Sequence, residues 1–214
     1  MTSTTIALLI IAAAFALANW WSRWRGNRIV EWITKPTVTA LLIAALTAAD
    51  PASGDVRAWF IGGLVMCLVG DVALMIERVP FQIGLAAFLI AHMAFVCGCV
   101  VDSGNNTAMG IIGLIVAFAV LIKIGRRITS AAAAMSSKLE APVSGYLLVI
   151  AIMHVVAWRT GNGWAAAGAS AFVVSDAVLG WDRFVRKLTW APVTVMVTYH
   201  LALAGLVAFA ATAN

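Results

Sequence analysis

Charge is scarce in this chain: 11% of its 214 residues are Asp, Glu, Lys or Arg, 63% are hydrophobic, and the mean hydropathy is +1.00. Soluble domains carry roughly twice that share of charge, so a soluble fold is excluded. Cysteine offers little chemistry. Cys67, Cys97 and Cys99 fall in or beside apolar segments, an odd number without Cys-x-x-Cys, which gives neither a disulfide framework nor a zinc spacing. The three histidines, His92, His154 and His200, lie in three different segments, and no His-x-x-x-His pair puts two on one helical face. There is no Ser-centred nucleophile elbow, no His-Glu-x-x-His and no P-loop, so the usual protease, lipase and ATPase signatures are missing. No motif calls for a metal or a cofactor, and none is expected.

What the chain has in quantity is apolar runs. A membrane span needs about 20 mainly apolar residues. Eight such runs are present, at roughly 4–21, 34–49, 58–76, 80–101, 108–123, 139–158, 163–181 and 190–212, and they leave almost nothing for a soluble domain. The expected fold is all-α: one integral membrane domain over 1–214 with eight transmembrane helices. The first run lacks a basic leader and a small-residue cleavage site, and reads as a retained helix.

Charge placement tests the count, because Lys and Arg concentrate in cytoplasmic connections. The odd-numbered connections hold Arg23, Arg25, Arg28, Lys35, Arg78, Lys123, Arg126, Arg127, Lys138, Arg183, Arg186 and Lys187, which is 12 of the 14 basic residues. Only Arg57 and Arg159 fall in the even ones. Both termini are therefore expected outside the cytoplasm. The net charge of +5 reads as a topology signal and an attraction for anionic lipid, not as a nucleic-acid footprint. The nine tryptophans sit near run ends, as interfacial anchors do.

Against this background two carboxylates stand out. Asp71 and Asp176 each open the spacing Asp-x-x-Leu-x-x-acid-Arg, as Asp71, Leu74, Glu77, Arg78 and as Asp176, Leu179, Asp182, Arg183. An intramembrane carboxylate costs roughly 2.5–3.5 kcal/mol on insertion scales, so its default reading is functional. Both lie on the order of 8–9 Å from the basic end at 1.5 Å per residue. Their offset of 105 (176 − 71) carries run 3 onto run 7, which suggests two parallel four-helix repeats; a chance match between two helix ends is the alternative. Lys35 with Pro36 opens run 2 from the same side, while His92, Tyr199 and His200 lie deeper. Facing one another, these residues would line a polar cleft; a purely structural role in helix-helix hydrogen bonding is the competing reading for each. His154, near the opposite end, reads as structural.

These residues resemble the YhhN family of membrane proteins, whose characterised animal members are lysoplasmalogenases. Lys35-Pro36-Thr37 looks like the family's Lys-Pro, and Gly70-Asp71 with Leu74-Met75 like its Gly-Asp-x-x-Leu-Met. Phe81, Gly84-Leu85, Phe88 and Ala91-His92 match its Phe-x-x-Gly-Leu-x-x-Phe-x-x-Ala-His helix, and Ser175-Asp176, Leu179 and Arg183-Phe184 its Ser-Asp-x-x-Leu with a basic-Phe pair. One stretch departs: the family's Thr-Tyr-Tyr-x-Ala-Gln reads Thr198-Tyr199-His200-Leu201-Ala202-Leu203 here, so His200 replaces a Tyr and Leu203 the Gln.

The resemblance implies hydrolysis of the vinyl ether of a lysoplasmalogen, with a membrane lysolipid as partner; the expected location is the plasma membrane of a bacterium. That chemistry needs one protonated carboxyl and one ionised carboxylate, as oxocarbenium chemistry does in glycoside cleavage. The implied site has Asp71 and Asp176 as acid and electrostatic or base partner, His92, Tyr199 and His200 as relay or positioning groups, Lys35 meeting the lipid phosphate or tuning an aspartate, and Arg78 and Arg183 recruiting the head group. A proton-coupled transporter and a non-catalytic lipid-binding protein remain as alternatives. The polar residues cluster at one end with no matching track through the other, which favours an enzyme.

Overall fold

The computed structural model describes residues 2–49, 53–102 and 104–213. Among them it forms eight helices long and apolar enough to cross a membrane: α1 (Ser3–Arg25), α2 (Arg28–Thr47), α3 (Gly54–Met75), α4 (Phe81–Val101), α5 (Thr107–Met135), α6 (Ser137–Arg159), α7 (Gly163–Val185) and α8 (Ala191–Ala210). Spans must satisfy their own backbone groups in lipid, which is why the solution is helical throughout. Short polar side chains define several starts: Asn27, Ser53, Asn106 and Asn162 each accept a backbone N–H from the first turn of the helix that follows. Gly26 ends α1 at φ 68°, a left-handed conformation that glycine adopts without steric cost.

Two boundaries differ from the reading of hydropathy alone. Helix α2 begins at Arg28 rather than near 34, because Asn27 caps it and its first turn tolerates Arg28 and Glu31 at the end of the bundle. Lys35 is thus about 10 Å into the helix, seven residues at 1.5 Å each, and does not open it. Helix α5 runs on through Lys123, Arg126 and Arg127 to Met135, its last part amphipathic, so these cations ride on a helix instead of a loop.

Several helix contacts recur four helices later. Helix α1 packs on α2, α2 on α3, α3 on α4 and α4 on α6; likewise α5 packs on α6, α6 on α7, α7 on α8 and α8 on α2. Adding four to each helix number, cyclically, turns one set into the other. The match is incomplete, since among the described residues α1 packs on α8 and α5 on α7 without a backbone contact of similar extent between α4 and α5 or between α1 and α3.

Lipid tails are as apolar as leucine, so such helices are held by close van der Waals fit and interhelical hydrogen bonds. At the α7–α8 contact Gly168 and Gly205 let two backbones meet: a Cβ on Gly205 would lie 2.9 Å from the Gly168 Cα. At the α3–α4 contact the Phe88 ring lies over Gly70, and Leu74 over Gly84. The centre is aromatic, with Phe60, Phe95, Phe172 and Phe209 wholly buried and the Phe60 ring 5.2 Å from Phe95 and 5.4 Å from Phe209.

Candidate functional site

Directly beside this aromatic core, polar side chains from α2, α3, α4, α6, α7 and α8 converge. Asp71 on α3 is wholly inaccessible and holds three donors: the Thr39 hydroxyl of α2 donates to Oδ2 at 2.9 Å, the Tyr199 hydroxyl of α8 donates to the same oxygen at 2.9 Å, and Lys35 Nζ of α2 stands 3.2 Å from Oδ1. The Lys35 contact is an ion pair, and the buried Oδ1 has no hydrogen-bond partner among the described residues. Asp176 on α7 has a different company. The Tyr146 hydroxyl of α6 donates to its Oδ2, and His92 Nε2 of α4 lies 3.9 Å from the same oxygen. His92 Nδ1 is 2.6 Å from the Phe88 carbonyl, an acceptor only, so Nδ1 carries a proton; Nε2 has no hydrogen-bond partner among the described residues and, in the neutral ring, offers its lone pair. The His92 ring is gripped edge-on by Phe172 at 4.5 Å and Tyr146 at 5.4 Å.

The two environments correspond under the same four-helix shift. Asp71 on α3 is served from α2 and α8; Asp176 on α7 is served from α6 and α4. The correspondence is positional and not chemical, for only Asp71 has a lysine partner.

Both carboxylates line one pocket of about 320 Å³, at the low end of the range for small-molecule sites. Its inner wall includes Phe88 and Tyr199, and its mouth carries Arg23, Arg28, Glu31 and Trp32 at the basic end of the bundle. Arg23 is paired with Glu31 at 2.5 Å, and Arg28 with Glu77 at 2.6 Å. A smaller apolar cavity lies on the other side of Asp176, among Leu85, Phe88, Tyr146, Leu147 and Phe184. Among the described residues no three His, Cys, Asp or Glu side chains group as a metal site would require.

Residues 30–210 match the model of the YhhN family. The chain belongs to the YhhN family. Over 152 residues it is 31% identical to a lysoplasmalogenase of Mycobacterium bovis, covering 68% of this chain and 57% of that relative, and it matches a Mycobacterium tuberculosis lysoplasmalogenase to the same extent. It is 32% identical over 164 residues to human lysoplasmalogenase TMEM86B, covering 76% of this chain and 67% of the human protein. The aligned stretch thus spans little over half of the mycobacterial relatives. No solved structure is significantly similar to it.

In this YhhN protein the residues singled out from the sequence divide into two groups. Asp71, Asp176, His92, Tyr199 and Lys35 are brought together. His200, whose ring lies 5.7 Å from that of Tyr199, faces α1 instead, where its Nδ1 accepts the Trp20 indole N–H at 2.9 Å. Arg183 lies over the Phe81 ring at 5.1 Å, and neither it nor Arg78 lines the pocket. Tyr146, Thr39, Arg23 and Arg28 were not singled out. For Tyr146 a signal existed: the chain has just two tyrosines, and each gives its hydroxyl to one of the two aspartates.

Proposed function

We propose that this YhhN protein is a membrane-embedded hydrolase that cleaves the vinyl ether of a lysoplasmalogen-type lysolipid and releases a fatty aldehyde. The observation that carries the reading is the unequal partnering of two buried carboxylates on one pocket. Asp71, with an ammonium and two hydroxyl donors, has the surroundings of an ionised carboxylate. Asp176 has no lysine or arginine within ion-pair distance among the described residues, and the lone pair of His92 Nε2 beside it suits a carboxyl that carries a proton.

In this reading Asp176 protonates the β-carbon of the enol ether, and the double-bond electrons form the new C–H bond. An oxocarbenium ion results, stabilised by the Asp71 carboxylate, whose Oδ1 orients water toward the α-carbon. Water adds, its proton passes to Asp71, and the hemiacetal collapses to aldehyde and the glycerophospho-alcohol. One water is consumed and no redox change occurs. Tyr146 and Tyr199 hold the two carboxyls in place, and His92 takes part in returning a proton to Asp176. The glycerophosphate meets Arg23 and Arg28 at the mouth rather than Arg78 and Arg183, and the alkenyl chain runs toward Leu85, Leu147 and Phe184, whose cavity of about 30 Å³ must widen to admit it.

The names carried by the relatives point to the same substrate class. In the same reading both termini lie outside the cytoplasm of a plasma membrane and the pocket mouth faces the cytoplasm, which the positive-inside asymmetry supports. The test is aldehyde release by purified protein from lysoplasmalogens, lysophospholipids and intact plasmalogens, beside Asp71→Asn and Asp176→Asn. Aldehyde from the vinyl-ether lysolipid alone, abolished by either substitution in variants that keep their melting temperature, supports the reading. No product from any of these lipids overturns it and returns the carboxylates to proton coupling or helix packing.

A further inference from the structure

A second concavity lies on the outer surface of the bundle, separate from the carboxylate pocket and sharing none of its lining residues. It is a groove of about 1150 Å³ between the basic ends of α5 and α7 and the segment leading into α8. Four cations line it, Lys123, Arg126, Arg127 and Arg186, together with Trp181 and Trp190. No Asp or Glu does. Among the described residues none of the four cations has a carboxylate partner; at the same end of the bundle Arg23, Arg28, Lys35 and Lys187 are paired, and Arg25, Arg78, Lys138 and Arg183 are unpaired but do not line this groove. The carboxylate next in the chain, Asp182, is turned away, accepting Lys187 Nζ at 3.0 Å and the Leu188 N–H at 2.8 Å.

The backbone is also special here. Helix α5 carries a π turn at Leu121–Gly125 and α7 another at Trp181–Val185, and residues of both turns line the groove. Such turns are rare and concentrate where helices serve a function. Above the cations the floor becomes apolar, with Ile122, Ala177 and Val178. It continues into the outward face of α5, where Ile111, Leu114, Ile115 and Phe118 are exposed and nothing in the bundle covers them.

We propose that this groove binds an anionic diacyl phospholipid, its phosphate held by Lys123, Arg126, Arg127 and Arg186 and its acyl chains lying along α5. A cluster of unpaired cations at head-group depth, flanked by two indoles and opening onto bare hydrocarbon-facing helix, matches such a lipid in charge and in polarity at every level. A zwitterionic lipid would leave the cations facing its own positive group. A free phosphate would leave the apolar floor bare. The proposal is independent of the reaction at the carboxylates, although α7 forms a wall of both sites.

The test is native mass spectrometry of detergent-solubilised full-length protein titrated with phosphatidylglycerol or phosphatidylcholine. The variants are Arg126→Gln/Arg186→Gln in the groove and Arg25→Gln/Lys138→Gln, two exposed cations at the same end outside it. Phosphatidylglycerol is expected to bind one tight site in preference to phosphatidylcholine. The groove pair should weaken it on the order of 30-fold, from the usual contribution of two interfacial cations, and the control pair by less than about 3-fold. Should the groove pair fail to fold, Lys123→Gln/Arg127→Gln makes the same comparison. Equal binding of both lipids, equal loss in both pairs, or displacement of the lipid by millimolar inorganic phosphate overturns the proposal.

Discussion

Replacing Lys35 by methionine leaves Asp71 with its two hydroxyl donors and no cation, at a site where Asp71 is wholly inaccessible and Lys35 is 7% exposed. Breaking a buried ion pair from one side costs about 3–5 kcal/mol, because the surviving charge stays desolvated and uncompensated. For a chain of this length that corresponds to a fall of roughly 6–20 °C in melting temperature. Asp71→Asn strands the Lys35 ammonium by the same logic, although Asn can still accept from Thr39 and Tyr199. The double variant Lys35→Met/Asp71→Asn removes both charges and should melt well above the sum of the single losses, with a coupling of at least about 2 kcal/mol. Melting of the four proteins in one detergent, followed by intrinsic fluorescence and by loss of soluble protein, measures the cycle. Single losses that add to within about 0.5 kcal/mol would refute the pair as a unit. The account of Asp71 as the ionised partner would fall with it.

Tyr146→Phe and Tyr199→Phe each remove a hydrogen bond to a buried carboxyl; aldehyde release should fall about 10–100-fold in each, and unchanged turnover would remove the tyrosines from the site. Trp20→Phe deprives His200 of its donor but touches nothing in the pocket, so turnover should stay within about 3-fold, and a larger loss would bring His200 back into the chemistry. Gly168→Val must push α7 from α8, since even a Cβ there would sit 2.9 Å from the Leu206 nitrogen; a loss of about 1–3 kcal/mol in stability is expected, and an unchanged melting curve would contradict the close approach. His154 is buried with neither ring nitrogen hydrogen-bonded among the described residues, so His154→Leu should leave melting unchanged or raise it, and marked destabilisation would point to a partner at that ring.

Hydropathy, charge asymmetry and spacing were enough to define the solvent and the helix count and to single out the candidate residues. A run of about 20 apolar residues can only be a span, and a carboxylate within it must find partners or a function. That reasoning reached Asp71, Asp176, His92, Tyr199 and Lys35 without coordinates, and the YhhN resemblance rested on the same residues. It also expected the two aspartates at one level, and both line one pocket.

Tertiary structure alone decided which side chains meet. Helical periodicity places Tyr199 and His200 one residue, or about 100° apart, but which of them faces Asp71 depends on how α8 packs between α1, α2, α3 and α7. It turned Tyr199 inward and His200 toward Trp20. Tyr146 lies 30 residues from Asp176, and Thr39 lies 32 from Asp71, so no local spacing links them; they meet because α6 packs on α7 and α2 on α3. The pairing of Lys35 with Asp71 rather than with Asp176 likewise follows from the helix neighbours, and with it the difference between the two carboxyls. The sequence carries depth along each helix axis, a one-dimensional quantity, whereas the identity of facing residues depends on the rotation and neighbours of every helix in the bundle.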